Sequence, residues 1–208
     1  MLIGLVVASA AGMAAWVGAG LWFKRGVEEP RYSVLSNDGE VEVRKYAPLI
    51  VATTEVEGER EAALSEGFRR LAGYIFGKNR SKTKIAMTAP VASTPSEKIA
   101  MTAPVAATTL EDGKFRITFT MPPSYTMDTL PEPEDERVKL VVQPAQEVAV
   151  LRFSGWARGP VVQERTQSLL DWVKRHDRPS VGAPTLAQYD PPFTMPLMRR
   201  NEIWVALQ

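Results

Sequence analysis

Hydrophobic and polar residues alternate along two parts of the chain, and this pattern predicts β-strands. Residues 41–46 and 114–121 alternate most clearly, as strands with one buried face do. Residues 49–56 are rich in β-branched side chains, which strands favour. The remaining predicted strands are residues 32–36, 138–142, 147–153 and 202–207.

Two further segments, residues 59–76 and 159–176, repeat apolar residues at the three- and four-residue spacing of amphipathic helices. The stripe of the first helix comprises Leu64, Phe68, Leu71, Ala72 and Ile75, and that of the second comprises Val162, Thr166, Leu169, Leu170 and Val173. Strands, a helix and strands therefore follow one another twice. This order predicts an α+β protein with two related halves that share one sheet or barrel.

An internal repeat lies between the first helix and the second group of strands. Residues 84–91 recur unchanged as residues 98–105, and each copy carries a proline near its end. Proline cannot donate to a strand ladder, so each copy is predicted at a strand end or edge. We expect one copy in the core sheet and the other in a hairpin arm beside it, with residues 92–97 as the turn.

The first 24 residues are predicted to form a separate unit, a single-pass membrane anchor. Residues 2–23 carry no charge, and Lys24 and Arg25 follow them directly. A cleavable signal peptide is the alternative, although the start lacks the positive region of such peptides. One short basic flank leaves the membrane side of residues 25–208 open.

Composition narrows the available chemistry. The 208 residues include no cysteine and one histidine, His176, which excludes disulfides, thiolate chemistry and metal centres with several imidazoles. A net charge of +1 gives no electrostatic case for nucleic acid. Glu59 and Glu61 suit the start of a helix, and no nucleophile–base pair is evident. We therefore expect a binding protein that is not an enzyme.

The chain resembles the SOUL family of haem-binding proteins from about residue 29 to residue 207. The resemblance is carried by residues 41–46, 67–79, both repeat copies, 189–192 and 199–204. It implies a distorted antiparallel β-barrel built from two pseudo-repeated halves, each with one outer helix. It also implies binding of haem or a related tetrapyrrole on an apolar surface formed by the first helix and the loop before the last strand.

Carried over by this resemblance, the binding residues fall on the helix and the loop. They are Leu64, Phe68 and Ala72, followed by Phe193, Met195, Leu197, Met198 and Arg199. Aromatic and thioether side chains suit a flat apolar macrocycle, and arginine suits its propionates. Helix positions that are basic in other members are Ser65 and Gly73 here, so Arg69, Arg70 or Arg199 is expected to meet the propionates.

Strong axial ligation of the haem iron is not expected. The strand at residues 41–46 carries no histidine, and His176 is predicted to cap the second helix. Ligation by Met195 or Met198 is a weaker alternative. The predicted function is haem buffering or delivery at a membrane, and the alternative is a non-haem effector-binding or protein-interaction module on the same fold.

Overall fold

The computed structural model describes residues 27–81 and 96–208, which form strands and two α-helices. In chain order they are β1 (Tyr32–Asp38), β2 (Val41–Tyr46), β3 (Leu49–Val56), α1 (Arg60–Ile75), β4 (Asn79–Arg80), β5 (Val105–Thr109), β6 (Phe115–Thr120), β7 (Glu132–Pro133), β8 (Lys139–Gln143), β9 (Gln146–Phe153), α2 (Gly159–Arg175), β10 (Ser180–Gln188) and β11 (Asn201–Leu207). A 3-10 turn, Pro196–Met198, lies in the loop before β11.

Most predicted elements are confirmed, with small shifts at their ends. β2 and β3 have the predicted bounds, and α1 begins after Glu59, whose side chain accepts a hydrogen bond of 2.9 Å from the Glu61 amide. Strand β10 was not predicted. Gly182 and Pro184 interrupt its alternation, and its register with β11 shifts between Val181 and Thr185.

Nine strands form one sheet in the order β1-β2-β9-β11-β10-β5-β6-β3-β8, and every pair in it is antiparallel. The predicted barrel is wrong for the described residues, because β1 and β8 lie at opposite ends of this order and do not pair. Alternation identifies a buried face, but closure depends on which outer strands meet, and no local pattern specifies that.

The sheet order is symmetrical about the pairing of β5 with β10. On one side lie β5, β6 and β3, and on the other β10, β11 and β9. The outermost partners are exchanged: β2 precedes β3 in the chain but pairs with β9, and β8 precedes β9 but pairs with β3. Each half of the sheet is thus completed by a strand from the other half.

Both helices cover the same face of the sheet. α1 packs on β3 and β6, where Ala52, Ile117 and Phe119 are buried, and α2 packs on β9, β10 and β11. The side chains beneath α2 include Leu151, Leu186, Ile203 and Val205. The opposite face has a smaller apolar cluster of Tyr46, Val148 and Val150, against which Trp204 packs.

The second repeat copy contributes to the core mainly outside regular strands. Ile99 is buried in the α1 cluster, its amide donates to the Ile75 carbonyl at 2.8 Å, and only Val105 enters a strand. The first copy and the predicted anchor lie outside the described residues. Within residues 27–81 and 96–208, the helices are too short or too polar to span a bilayer.

Gly67→Ala is expected to destabilise the protein by about 1–3 kcal/mol, the usual cost of overpacking. A Cβ at Gly67 would lie 2.5 Å from Ile117 Cδ1 and 2.7 Å from Cγ1, so the buried Ile117 side chain or α1 itself would have to shift. Urea unfolding followed by circular dichroism measures the change. Gly159→Ala is the matched control, because a Cβ there meets nothing within 4 Å; equal losses in the two variants would contradict the packing argument.

Candidate functional site

Phe68 is the exposed aromatic residue of α1. Its ring meets Phe119 of β6 edge-on, with 5.4 Å between centroids, yet 40% of the residue remains accessible. Leu64 and Ala72, one turn away on either side, are half-buried, and Leu64 packs on the α1 core cluster. The three predicted helix residues therefore form an apolar strip at the border between core and solvent.

The two arginines after Phe68 differ in accessibility. Arg69 Nη2 lies 3.1 Å from Glu66 Oε2, and its side chain is 71% exposed. Arg70 donates to Glu66 Oε1 at 2.8 Å and to the Glu55 carbonyl at 3.2 Å, and its side chain is only 15% exposed. The hydrogen bond from Arg70 holds the pKa of Glu66 below its usual value. Arg69 is thus the cation beside Phe68 that an incoming anion meets first.

The loop before β11 is held by its own arginine. Arg199 Nε donates to the Thr194 carbonyl at 2.8 Å, another of its nitrogens donates to the Pro192 carbonyl, and its guanidinium lies 4.0 Å from the centre of the Trp156 ring. Arg199 therefore fixes the loop against the β9–α2 connection. Leu197 at the loop tip is 85% exposed.

The other predicted loop residues occupy different surroundings. Phe193 is 43% exposed, and Met195 and Met198 are half-buried on the 3-10 turn, where the Met198 amide donates to the Met195 carbonyl at 2.9 Å. Leu197, Met198 and Arg199 also line a cavity of about 400 Å³ with Glu42 and Arg152 of β2 and β9.

The helix strip and the loop lie along one end of the sheet. Phe119, beneath Phe68, is opposite Val105, which is opposite Gln188, the last residue of β10. Two strand spacings of about 4.8 Å therefore separate Phe119 from the start of the loop, roughly 10 Å in all. The described contacts of α1 are with β3 and β6, and those of the loop are with β9 and its connection to α2.

His176 is occupied by contacts within the protein. Its Nε2 lies 3.1 Å from Asp38 Oδ2, its Nδ1 lies 2.8 Å from the Trp172 carbonyl oxygen, and its ring stacks on the Trp172 indole at 4.1 Å. These contacts join the end of α2 to the β1–β2 hairpin. Among the described residues, no cluster of three histidine, aspartate or glutamate side chains is arranged to hold a metal ion.

Comparison with known proteins bears directly on this arrangement. A family model described as SOUL heme-binding protein matches residues 27–206. The chain therefore belongs to the SOUL family. It is 30% identical to Heme-binding protein 2 of Mus musculus over 169 residues, covering 80% of this chain and 78% of that protein. It is 29% identical to Heme-binding protein 2 of Homo sapiens over 170 residues, with the same coverage.

A solved structure shares the fold at much lower identity. The EcmrR C-terminal domain superposes with a TM-score of 0.59 at 10% sequence identity, covering 85% of this chain and 98% of that domain. At this identity the likeness concerns the fold alone. It shows that the sheet and the two helices of this SOUL protein also occur in a chain of largely different sequence.

Sequence reasoning missed a buried charge cluster in this SOUL protein. Glu202 on β11 is fully buried and accepts hydrogen bonds from Arg44 at 3.0 Å, Tyr189 at 2.7 Å and Trp204 at 2.8 Å. Arg200 donates to its other oxygen at 2.9 Å. Arg44 and Glu202 are 158 residues apart, so no local signal pairs them. Arg44 lies on the polar side of the β2 alternation, where exposure is the ordinary expectation.

The cluster keeps Glu202 ionised. Burial alone raises the pKa of a carboxyl group, but the hydrogen bond and charge of Arg44, with Tyr189 and Arg200, outweigh it and hold the pKa of Glu202 below its usual value. A carboxyl group with a lowered pKa in the folded state stabilises the fold above its unfolded-state pKa of about 4.3. That contribution is lost as the pH falls through the lower, folded-state value.

Glu202→Gln is expected to lower the free energy of unfolding by about 3–5 kcal/mol at pH 7, because it removes the fully buried counter-charge of Arg44 and leaves Arg44 with Glu42, whose side chain is 33% exposed. Below about pH 4.3 the wild type should lose stability more steeply than the variant. Urea unfolding between pH 3 and pH 7 measures both effects.

Glu55→Gln serves as the control for this cluster, because it breaks an exposed ion pair with Arg116 of comparable length, 2.6 Å. It should cost no more than about 1 kcal/mol. Equal losses in the free energy of unfolding for the two substitutions would show that the buried Glu202 cluster stabilises the fold no more than an exposed ion pair does.

Proposed function

We propose that this protein binds haem or a related tetrapyrrole on the apolar strip of α1, with the β10–β11 loop beside it. The family match over residues 27–206 carries the proposal, and the names of the mouse and human relatives support it. The exposure of Phe68 adds a physical reason, since an aromatic residue that is 40% exposed is available to a flat ligand.

The residues present suit both the apolar macrocycle and the charged propionates of a tetrapyrrole. Phe68, Leu64 and Ala72 offer an apolar strip to the macrocycle, and Phe193, Met195, Leu197 and Met198 extend apolar surface along the same end of the sheet. Methionine adapts its shape to irregular apolar ligands. Exposed Leu197 can join such a contact without disturbing the core, because it is 85% accessible.

Arg69 is the proposed partner of the propionates. Arg199 is held by the Thr194 and Pro192 carbonyls and by Trp156, so recruiting it would break contacts that order the loop. Arg70 is largely covered. Arg69 has one exposed ion pair, with Glu66, and exchanging that partner for a propionate costs little.

The protein is proposed to hold the macrocycle without a strong axial ligand. His176 packs against Trp172 and Asp38, and its use by iron would break both contacts. Redox chemistry at a bound haem would belong to the cofactor. This chain would supply an apolar surface and a cation.

A membrane-tethered role in haem buffering or delivery is part of the proposal. It is supported by the uncharged run of residues 2–23, which is long enough to cross a bilayer as one helix. An open binding strip suits transfer, because a ligand on a surface leaves more readily than one enclosed by the fold.

Phe68→Ala is expected to weaken haemin binding about tenfold, since a half-exposed aromatic side chain contributes roughly 1–2 kcal/mol when a ligand covers it. Titration of haemin into the protein, followed at the Soret band, gives the affinity. Leu35→Ala is the matched control, because Leu35 is 47% exposed on β1, at one end of the sheet order.

His176→Ala should leave the Soret maximum in place. Loss of the Soret shift in that variant would contradict binding without a histidine ligand. Unchanged affinity in Phe68→Ala would contradict the α1 strip. No saturable Soret change with the wild type would overturn the proposed function itself.

Arg69→Gln is expected to weaken binding of haemin about threefold to tenfold and to leave the affinity for haemin dimethyl ester unchanged, because the ester carries no propionate charge. The same Soret titration with both ligands measures the difference. Arg70→Gln is the neighbouring control, since the Arg70 side chain is mostly covered. If Arg69→Gln weakened the binding of haemin and of its ester equally, the proposed contact between Arg69 and a propionate would be wrong.

A further inference from the structure

A second cavity is lined by none of the residues of the α1 strip or the β10–β11 loop. It has a volume of about 700 Å³, and its apolar wall is formed by Leu49 and Ile50 of β3, Met121 and Met127 after β6, and Val142 of β8. Sites for small molecules commonly measure about 300–1,000 Å³ and are mostly apolar. Size and lining thus both suit a small organic ligand.

One wall of the cavity is a short segment that the rest of the fold fixes in place. Residues 28–31, here called the strap, cross its side. The Ala103 amide donates to the Glu28 carbonyl at 2.9 Å, and Arg200 donates to the Glu29 carboxylate at 2.9 Å. Because Arg200 also binds Glu202, the buried charge cluster holds the strap and hence the cavity wall.

The polar groups of the wall are already used within the protein. The Tyr125 hydroxyl donates to Glu97 at 2.7 Å, the Thr102 hydroxyl donates to the Thr120 carbonyl, and the Thr126 hydroxyl lies 3.2 Å from that of Thr129. The polar groups of a buried ligand would therefore find no hydrogen-bond partners in this wall, which costs about 1–3 kcal/mol for each group. The wall therefore selects against strongly polar ligands.

Charges occur only on the strap side of the lining. Glu29 is paired with Arg200, and the two others, Glu28 and Arg31, have opposite signs and are exposed. Their effects on a ligand oppose each other and are weakened by solvent. Burying a charged ligand here would remove its hydration without a dedicated counter-charge.

We propose that this cavity is a binding site for an uncharged, largely apolar small molecule, separate from the proposed tetrapyrrole surface. Its wall shares no residue with the α1 strip or the β10–β11 loop. The proposal of this site does not depend on whether the protein binds haem.

Methionine methyl resonances test this site directly. The full chain contains eight methionines, of which Met121 and Met127 line the cavity, while Met195 and Met198 lie on the β10–β11 loop as internal controls. The protein is labelled with ¹³C at its methionine methyl groups, and each resonance is assigned by substitution with leucine. The uncharged probe N-phenyl-1-naphthylamine is then titrated, and its sulfonated analogue 8-anilinonaphthalene-1-sulfonate serves as the charged counterpart.

We expect the uncharged probe to shift Met121 and Met127 saturably and to leave Met195 and Met198 in place. Ala47→Trp should abolish the shift, because Ala47 is an exposed lining residue whose enlargement fills the cavity without entering the core. Phe68→Ala should bind the probe as the wild type does. The sulfonate should bind at least about tenfold more weakly, because it carries a charge into an apolar site.

Several results would overturn the proposal. They are saturable shifts that persist in Ala47→Trp, shifts of all four methionines to the same extent, and binding of the sulfonate as tight as that of the uncharged probe. Absence of any shift with the wild type would also overturn it. A urea unfolding curve of Ala47→Trp that coincides with that of the wild type shows that loss of binding comes from the filled cavity.

Discussion

The exchange of strands between the two halves is the constraint on which the rest of the structure depends. β2 pairs with β9 and β8 pairs with β3, so each half completes the sheet of the other, while β5 and β10 join them at the centre. Taken alone, each half lacks the strand that completes its part of the sheet. The pairings span most of the chain, so the sheet depends on contacts that are distant in sequence.

The Arg44–Glu202 pair reinforces this exchange. Arg44 belongs to β2 and Glu202 to β11, and β9 lies between them in the sheet. Arg200 extends the cluster to Glu29, so the same buried carboxylate influences the sheet, the loop before β11 and the strap. A buried ion pair adds little net stability over apolar packing, but removing one partner is costly. The sheet, the loop before β11 and the strap are therefore all held through the Glu202 carboxylate and its arginine partners.

Two kinds of apolar surface result, and they differ in physical character. The α1 strip is open, with Phe68 resting on Phe119 and facing solvent, and its nearest available cation is Arg69. The cavity beside the strap is recessed, and its hydroxyl groups are bonded within the protein. An open strip suits a large flat ligand that is exchanged, whereas a recessed cavity selects by size and polarity. The two surfaces are neighbours, because Thr120 and Met121 of the cavity wall directly follow Phe119, but no residue lines both.

The sequence by itself determined the local elements and the family. Alternation identified β2 and β-branched composition identified β3, both with their bounds, helical spacing identified α1 and α2, and the motifs indicated a SOUL protein. It did not determine β10, where a glycine and a proline interrupt the pattern, nor whether the sheet closes. The burial of Arg44 and the engagement of Arg199 within its loop were decided only by tertiary structure. The physical reason is that periodicity reports which face of an element is apolar, whereas pairing, closure and charge partners depend on contacts between residues far apart in the chain.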